Sequence, residues 1–249
     1  MIFIYIILII TIILCIFYNF KDKNNKVLLI TQYYEPNNSE RMIEIKECLI
    51  NNNNNKLIDE IHLFIEKDYN FDFIKNNKIK FIKTDKQLSF KKVFDYSNTF
   101  DDNHIIILAN SDIYFDESLQ NIHYIDFNKT FYALNKYNLD KNNNLVLDET
   151  PGSQDTWIWK PLFTIIQNEN NTNDYFDNDD GIILGVGACD NRILKIVEDS
   201  GYNIRNICRK IKTVHNHKND YRTWKTDSNK LKYTNKYRQN GIKRIMCEY

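Results

Sequence analysis

The stretch HIIILANSDIYFD, residues 104–116, restricts the choice of fold more than any other part of this chain. Ile105 to Leu108 are four consecutive aliphatic residues, and they run through Ala109 into Asn110, Ser111 and Asp112. A strand with one wet face alternates apolar and polar positions, so an uninterrupted run predicts a strand covered on both faces, as in a parallel α/β sheet. Its polar end falls where such sheets bind ligands, beyond the carboxyl ends of the strands.

The first half of the chain repeats this grammar. KVLLITQYY reads as a second buried strand, and SERMIEIKECLI as a helix with Met42, Ile45, Cys48 and Leu49 on one face and Ser39 as its cap. IDEIHLFIE and KIKFIK are further strands, and KKVFDYSNTF is a helix. Alternating strands and helices with short connections predict a mainly parallel sheet flanked by helices. After Asp116 the rhythm changes. FYALNKY, NLVLDE and TWIWK are strand-like without clear helices between them, which predicts a mixed portion. GIILGVG is expected to be another strand. DNRILKIVEDSG is expected to be a helix capped by Asp190 and stopped by Gly201, and RKIKTVHNH a late strand.

Composition narrows the function. Lys plus Arg and Asp plus Glu are both 33 in 249 residues, so the formal charge is zero and the basic excess of a nucleic-acid partner is missing. Asn, Ile and Lys, all with AT-rich codons, are abundant, and the Asn51 to Asn55 run reads as compositional drift in a loop. The segment Ile2 to Tyr18 carries no charge, which predicts a single-pass membrane anchor over residues 1–20. Lys21, Lys23 and Lys26 behind it favour a cytosolic domain by the positive-inside rule. The main domain is expected over 27–222, with a charged, aromatic tail over 223–249. The cysteines show no CxxC pair, so neither a zinc site nor a disulfide framework is indicated.

Four short constellations carry chemistry. Asp112, at the end of the most apolar strand, can ligate a hard divalent ion; alternatively Asn110 and Asp112 form an Asx turn that ends the strand. In SQDTWIWKP, Trp157 and Trp159 share a strand face, either as a stacking platform for a sugar or base or as core, and Asp155 precedes them as a candidate base or a turn residue. In GVGACDN, Gly185 and Gly187 precede Asp190, which is either a general base or an ordinary helix cap. In VHNH, His215 and His217 fall on one face of an extended segment and could ligate a transition metal.

Taken in order, these motifs resemble those of GT-A glycosyltransferases, which carry a DxD motif, a glycine loop, an acid in an xED setting and a C-terminal His that completes a metal site. NSD resembles a DxD with Asn110 in its first place, GVGACD resembles the glycine loop running into xED with Cys189 in place of Glu, and VHNH resembles the His region. The pattern QYYEP…R…ANSDIYFD…SQDTW…GACDNRI…H is also similar to a group of bacterial and viral glycosyltransferase-like sequences and spans most of residues 27 to 222. The resemblance implies a GT-A-like, Rossmann-like fold and transfer of a sugar from a nucleotide-sugar to a hydroxyl on a glycan, lipid or protein, with Mn²⁺ or Mg²⁺ and inversion. It implies metal ligation by Asp112 with His215 or His217, and binding of the base and ribose near Thr31, Gln32 and Tyr33. Asn110, Ser111 and Gly187 would stand beside the donor, and Asp190 or Asp155 would act as base. Two other classes fit the same residues: a metal-dependent phosphoesterase, which needs two ions, and a membrane-tethered carbohydrate-binding module without catalysis.

Overall fold

The computed structural model describes residues 25–75, 78–167, 173–176, 181–217 and 228–248. The elements in chain order are β1 (Lys26–Tyr33), α1 (Ser39–Asn54), β2 (Glu60–Ile65), β3 (Ile79–Lys83), α2 (Phe90–Ser97), β4 (His104–Ala109), β5 (Ile113–Phe115) and a 3-10 helix (Glu117–Tyr124). They continue with β6 (Thr130–Leu139), β7 (Leu145–Leu147), β8 (Gln154–Trp159), α3 (Asn173–Phe176), α4 (Cys189–Asp199), β9 (Asn203–Arg205), β10 (Thr213–His215) and α5 (Ser228–Gln239).

One mixed sheet runs β3-β2-β1-β4-β8-β6-β10-β5, with β7 and β9 also paired to β6. The β3-β2-β1-β4 half is parallel, and β8 enters antiparallel between β4 and β6. The apolar run in β4 follows from this position. Ile106 and Leu108 enter one core, Ile105, Ile107 and Ala109 the other, and all five are fully buried. Helices α2, α4 and α5 cover the first face through residues such as Phe94, Ile193 and Tyr237, while α1 and the 3-10 helix cover the second through Ile45, Leu49, Leu119 and Ile122. Burying each of these side chains contributes about 1.5–3 kcal/mol.

Several expectations change. Asn38, not Ser39, caps α1, its side chain accepting from the Arg41 amide. The Asn run is not a drifting loop. It forms the last turn of α1, and Asn52 completes the edge of β5 by donating to the Ile113 carbonyl and accepting from the Phe115 amide. Asn55 donates to the Phe115 carbonyl, so side-chain amides stand in for a missing strand. GIILGVG is not a strand. Its backbone pairs with the segment before α2 through an isolated Ser89–Ile183 bridge, and left-handed Gly181 and Gly185 break the extended path. Ala188, at φ 65°, occupies the N-cap of α4, so Asp190 lies in the first helical turn and does not cap it. Both tryptophans do share a face, but Trp157 and Trp159 pack into the core against Phe90 and Phe94 instead of forming an open platform. A disulfide joins Cys208 to Cys247, which the cysteine spacing did not indicate.

The segment after 223 shares the main core through Tyr237, and Arg192 of α4 donates to the Gly241 carbonyl. The expected anchor lies outside the described residues. Among the described residues no helix is long and apolar enough to cross a membrane.

Candidate active site

Strand register assembles the first cluster. Just past β4, Asp112 precedes β5, whose Ile113 lies opposite His215 of β10, while His215 also lies opposite Asn138 of β6. The Asn216 amide donates to the Asp112 carbonyl and locks this corner. One carboxylate oxygen then collects everything: Asp112 Oδ2 is 3.0 Å from His215 Nε2, 3.6 Å from His217 Nδ1 and 2.5 Å from Arg41 Nη2. The two imidazoles stack with centroids 5.0 Å apart. Burial by itself would raise the Asp112 carboxyl, but His215, His217 and Arg41 outweigh it and hold the group well below the usual carboxylate range.

The donor atoms of Asp112, His215 and His217 all lie within 4.8 Å of one another, the only such group of three among the described residues. The wiring of His215 fits a cation. Its Nδ1 lies 2.9 Å from Asn138 Oδ1, an acceptor to which it donates, and Nε2 is aimed at Asp112 Oδ2. A nitrogen and a carboxylate oxygen so close need a proton or a metal between them. Among the described residues, His217 Nε2 is buried without a partner.

A register break builds the second cluster. Leu134 of β6 pairs with Thr156 of β8, while Asn135 pairs with Gln154, so Asp155 is the extra residue of a bulge. The β4–β8 ladder extends one step further, with the Asn110 amide donating to the Asp155 carbonyl. The Asp155 side chain accepts from Asn110 Nδ2 at 2.7 Å and from Lys136 Nζ at 2.5 Å. Burial would lower the Lys136 ammonium, but the Asp155 charge outweighs it, so Lys136 stays cationic.

Asp190 is wired differently. Its carboxylate accepts from Asn191 Nδ2, which also donates to the Gly152 carbonyl. Gly152 has φ 81°, and a Cβ there would sit 2.0 Å from Asn191 Oδ1, so only glycine allows the approach. Burial, with the Asp155 charge nearby, pushes the Asp190 carboxyl up to about 7. The preceding Cys189 thiol is buried and pushed up, hence inert at neutral pH.

Both clusters open into one cleft of about 1110 Å³. Of the residues singled out in the sequence, Gln32, Asn110, Ser111, Asp112, Asp155, Trp157, Gly185, Gly187, Cys189, Asp190, His215 and His217 line it, Trp157 with almost none of its side chain exposed. Thr31 and Tyr33 instead border a separate small void with Ile45 and Leu49, and Tyr33 packs against Tyr69 and Phe71. Gln32 reaches the cleft but is engaged by the protein: it accepts from the Leu88 amide and donates to Glu66. Lys136 was not foreseen, and Arg41 stood in the sequence pattern only as its R, without a role. For Arg41 a signal existed, because it falls on the helical stripe of Ile45, Cys48 and Asn52, where a cation must find a buried partner.

No family model matches this chain, and no curated protein matches it. Among solved structures it is similar to 4-diphosphocytidyl-2C-methyl-D-erythritol synthase from Anaerococcus prevotii DSM 20548, at 12% identity and a TM-score of 0.40 over 87% of this chain and 97% of that one. It is also similar to HddC from Yersinia pseudotuberculosis, at 13% identity and a TM-score of 0.32 over 55% and 76% of the two chains. A mannose-6-phosphate isomerase from Helicobacter pylori gives 16% identity and a TM-score of 0.32 over 55% and 61%. Likeness at this level carries no functional weight, and the chemistry of the cleft rests on its own side chains.

Proposed function

We propose that this chain transfers a sugar from a nucleotide-sugar to an acceptor hydroxyl, assisted by a divalent ion and with inversion at the anomeric carbon. The observation that carries the proposal is a single cleft lined both by the Asp112, His215 and His217 donor set and by Asp190, a carboxyl that titrates at about 7. A divalent ion held by that set supplies neutralisation of the departing diphosphate. One carboxylate and two imidazoles suit Mn²⁺ better than Mg²⁺, which favours an all-oxygen shell.

Asp190, ionised above about pH 7, takes the proton of the acceptor hydroxyl. That oxygen bonds to the anomeric carbon as the bond from the carbon to the diphosphate oxygen breaks, and attack opposite the leaving group inverts the centre. Asp155 suits the step less well, because Asn110 and Lys136 already occupy its two oxygens. Ser111 and Gly187 line the cleft beside the proposed donor position. Residues 1–20 tether the domain to a membrane in this proposal, and extraction of the full chain only by detergent would support that.

The test is a panel of nucleotide-sugars with the full-length chain in detergent, followed by thermal shift with and without Mn²⁺ and by product analysis. Metal-dependent release of nucleoside diphosphate with sugar transfer is the expected result. Release of pyrophosphate would assign nucleotidyl transfer instead, phosphodiester hydrolysis a phosphoesterase, and glycan binding indifferent to EDTA a binding module.

A further inference from the structure

We infer that Arg41 is a resident cation of the Asp112 site that yields its place only when a diphosphate is there to receive it, so that the divalent ion and a nucleoside diphosphate bind together. The inference rests on the metal-assisted transfer proposed above and adds a role for a residue outside the metal donor set.

Arg41 and Asp112 are 8% and 5% exposed, so this ion pair lies almost out of water. Arg41 occupies two of the three donor groups at once. Its Nη2 donates to Asp112 Oδ2 at 2.5 Å, the oxygen on which both histidines converge, and its Nη1 lies 2.6 Å from His217 Nδ1, the nitrogen that faces that oxygen. A divalent ion entering among these atoms meets a positive charge at hydrogen-bond distance and two lone pairs already in use. Like charges so close repel strongly in a site with little water. The ion alone therefore binds poorly.

The guanidinium has somewhere to go. Arg41 itself lines the cleft, and its planar fork matches two phosphate oxygens as well as it matches a carboxylate. The pair with Glu44, at 3.1 Å on the same helix, keeps the side chain tethered while it exchanges one anion for another. A diphosphate removes Arg41 from Asp112 and His217 and supplies negative charge to the incoming ion. By linkage, each ligand then tightens the other by the same factor.

Calorimetric titration of Mn²⁺ into the full-length chain, with and without saturating UDP, GDP, CDP or ADP, tests this. The wild type should bind Mn²⁺ weakly alone and on the order of tenfold more tightly with the matching diphosphate. Arg41→Gln should bind Mn²⁺ alone on the order of tenfold more tightly than the wild type, with the diphosphate effect lost. Arg41→Lys keeps a buried charge but cannot reach Asp112, Glu44 and His217 together; it should shift Mn²⁺ affinity in the same direction by less, and it decides the matter if the Gln variant does not fold. Equal Mn²⁺ affinity in wild type and variants overturns the role of Arg41 alone. Absence of Mn²⁺ binding in every protein, with or without diphosphate, overturns the metal-assisted reading as well.

Discussion

Asp112 and Asp190 face the same cleft and are both desolvated, yet they come out as opposite kinds of acid. Asp112 stands among Arg41, His215 and His217 and is held ionised far below neutrality. Asp190 has Asn191 and a nearby carboxylate for company and is pushed up to about 7. Desolvation raises both, so the partners decide: cations fix one charge in place, and their scarcity leaves the other free to exchange a proton. One permanent anion and one titrating anion in the same cleft are the two roles that the proposed metal-assisted sugar transfer calls for.

The strongest way to break this contrast is Asp112→Asn. It should reduce metal-dependent turnover to background, a loss of at least about 10²–10³-fold, and it strips Arg41 of its main partner at a cost of a few kcal/mol, read by product assay and thermal melt. Asp190→Asn should lower turnover by roughly 10²–10⁴-fold while leaving Mn²⁺ affinity unchanged in calorimetry. Its stability should move the other way. The folded pKa of Asp190 lies above the unfolded carboxylate value of about 3.9, so its contribution to stability is complete below that value and is lost as pH rises towards about 7. The Asn variant should therefore melt higher than the wild type at pH 8, and an equal or lower melting point there would contradict the assignment.

The wild-type rate itself should fall about tenfold per pH unit below a midpoint near 7, measured as kcat/KM from pH 5 to 9. The smallest effect is the most specific. Asn110→Asp sets a second carboxylate against Asp155 where an amide now donates at 2.7 Å, and should move that midpoint up by about one unit. An unmoved midpoint would disconnect Asn110 and Asp155 from the base.

The same geometry explains which parts of the molecule were legible in the sequence. Strands β1, β2 and β4 were readable because both faces are buried and their runs are mostly apolar, a signal that needs no tertiary knowledge, whereas β3 is an edge strand with most of its residues exposed. Asp112, Asp155, Asp190 and the two histidines stood out as polar groups at segment ends, and the fold brings all five to one cleft. The Asn in the first place of NSD was a puzzle until β8 was placed beside β4: an amide there donates to Asp155, which a carboxylate could not do. Long-range pairing of this kind leaves no local trace. The Asn run was misread for the same reason, since nothing near Asn52 announces an edge strand 61 residues away that needs its amide. GIILGVG failed as a strand because left-handed backbone at Gly181 and Gly185 overrides propensity, and the tryptophans failed as a platform because β8 ended up between two cores. Thr31 and Tyr33 were expected near the ligand by analogy with a strand end; they border a small void that Gln32 and Ser111 share with the cleft.

The bond between Cys208 and Cys247 closes a covalent ring through β10 and α5. His215 and His217 sit inside that ring, as do Lys230 and Arg238 on the cleft wall. Removing the cross-link lets the unfolded chain spread over a 39-residue span, a loss of about 4 kcal/mol by chain entropy. The ring also has a plainer meaning. A protease that cuts once anywhere between the two cysteines yields a molecule that still migrates as one piece, histidines attached, until a thiol opens it.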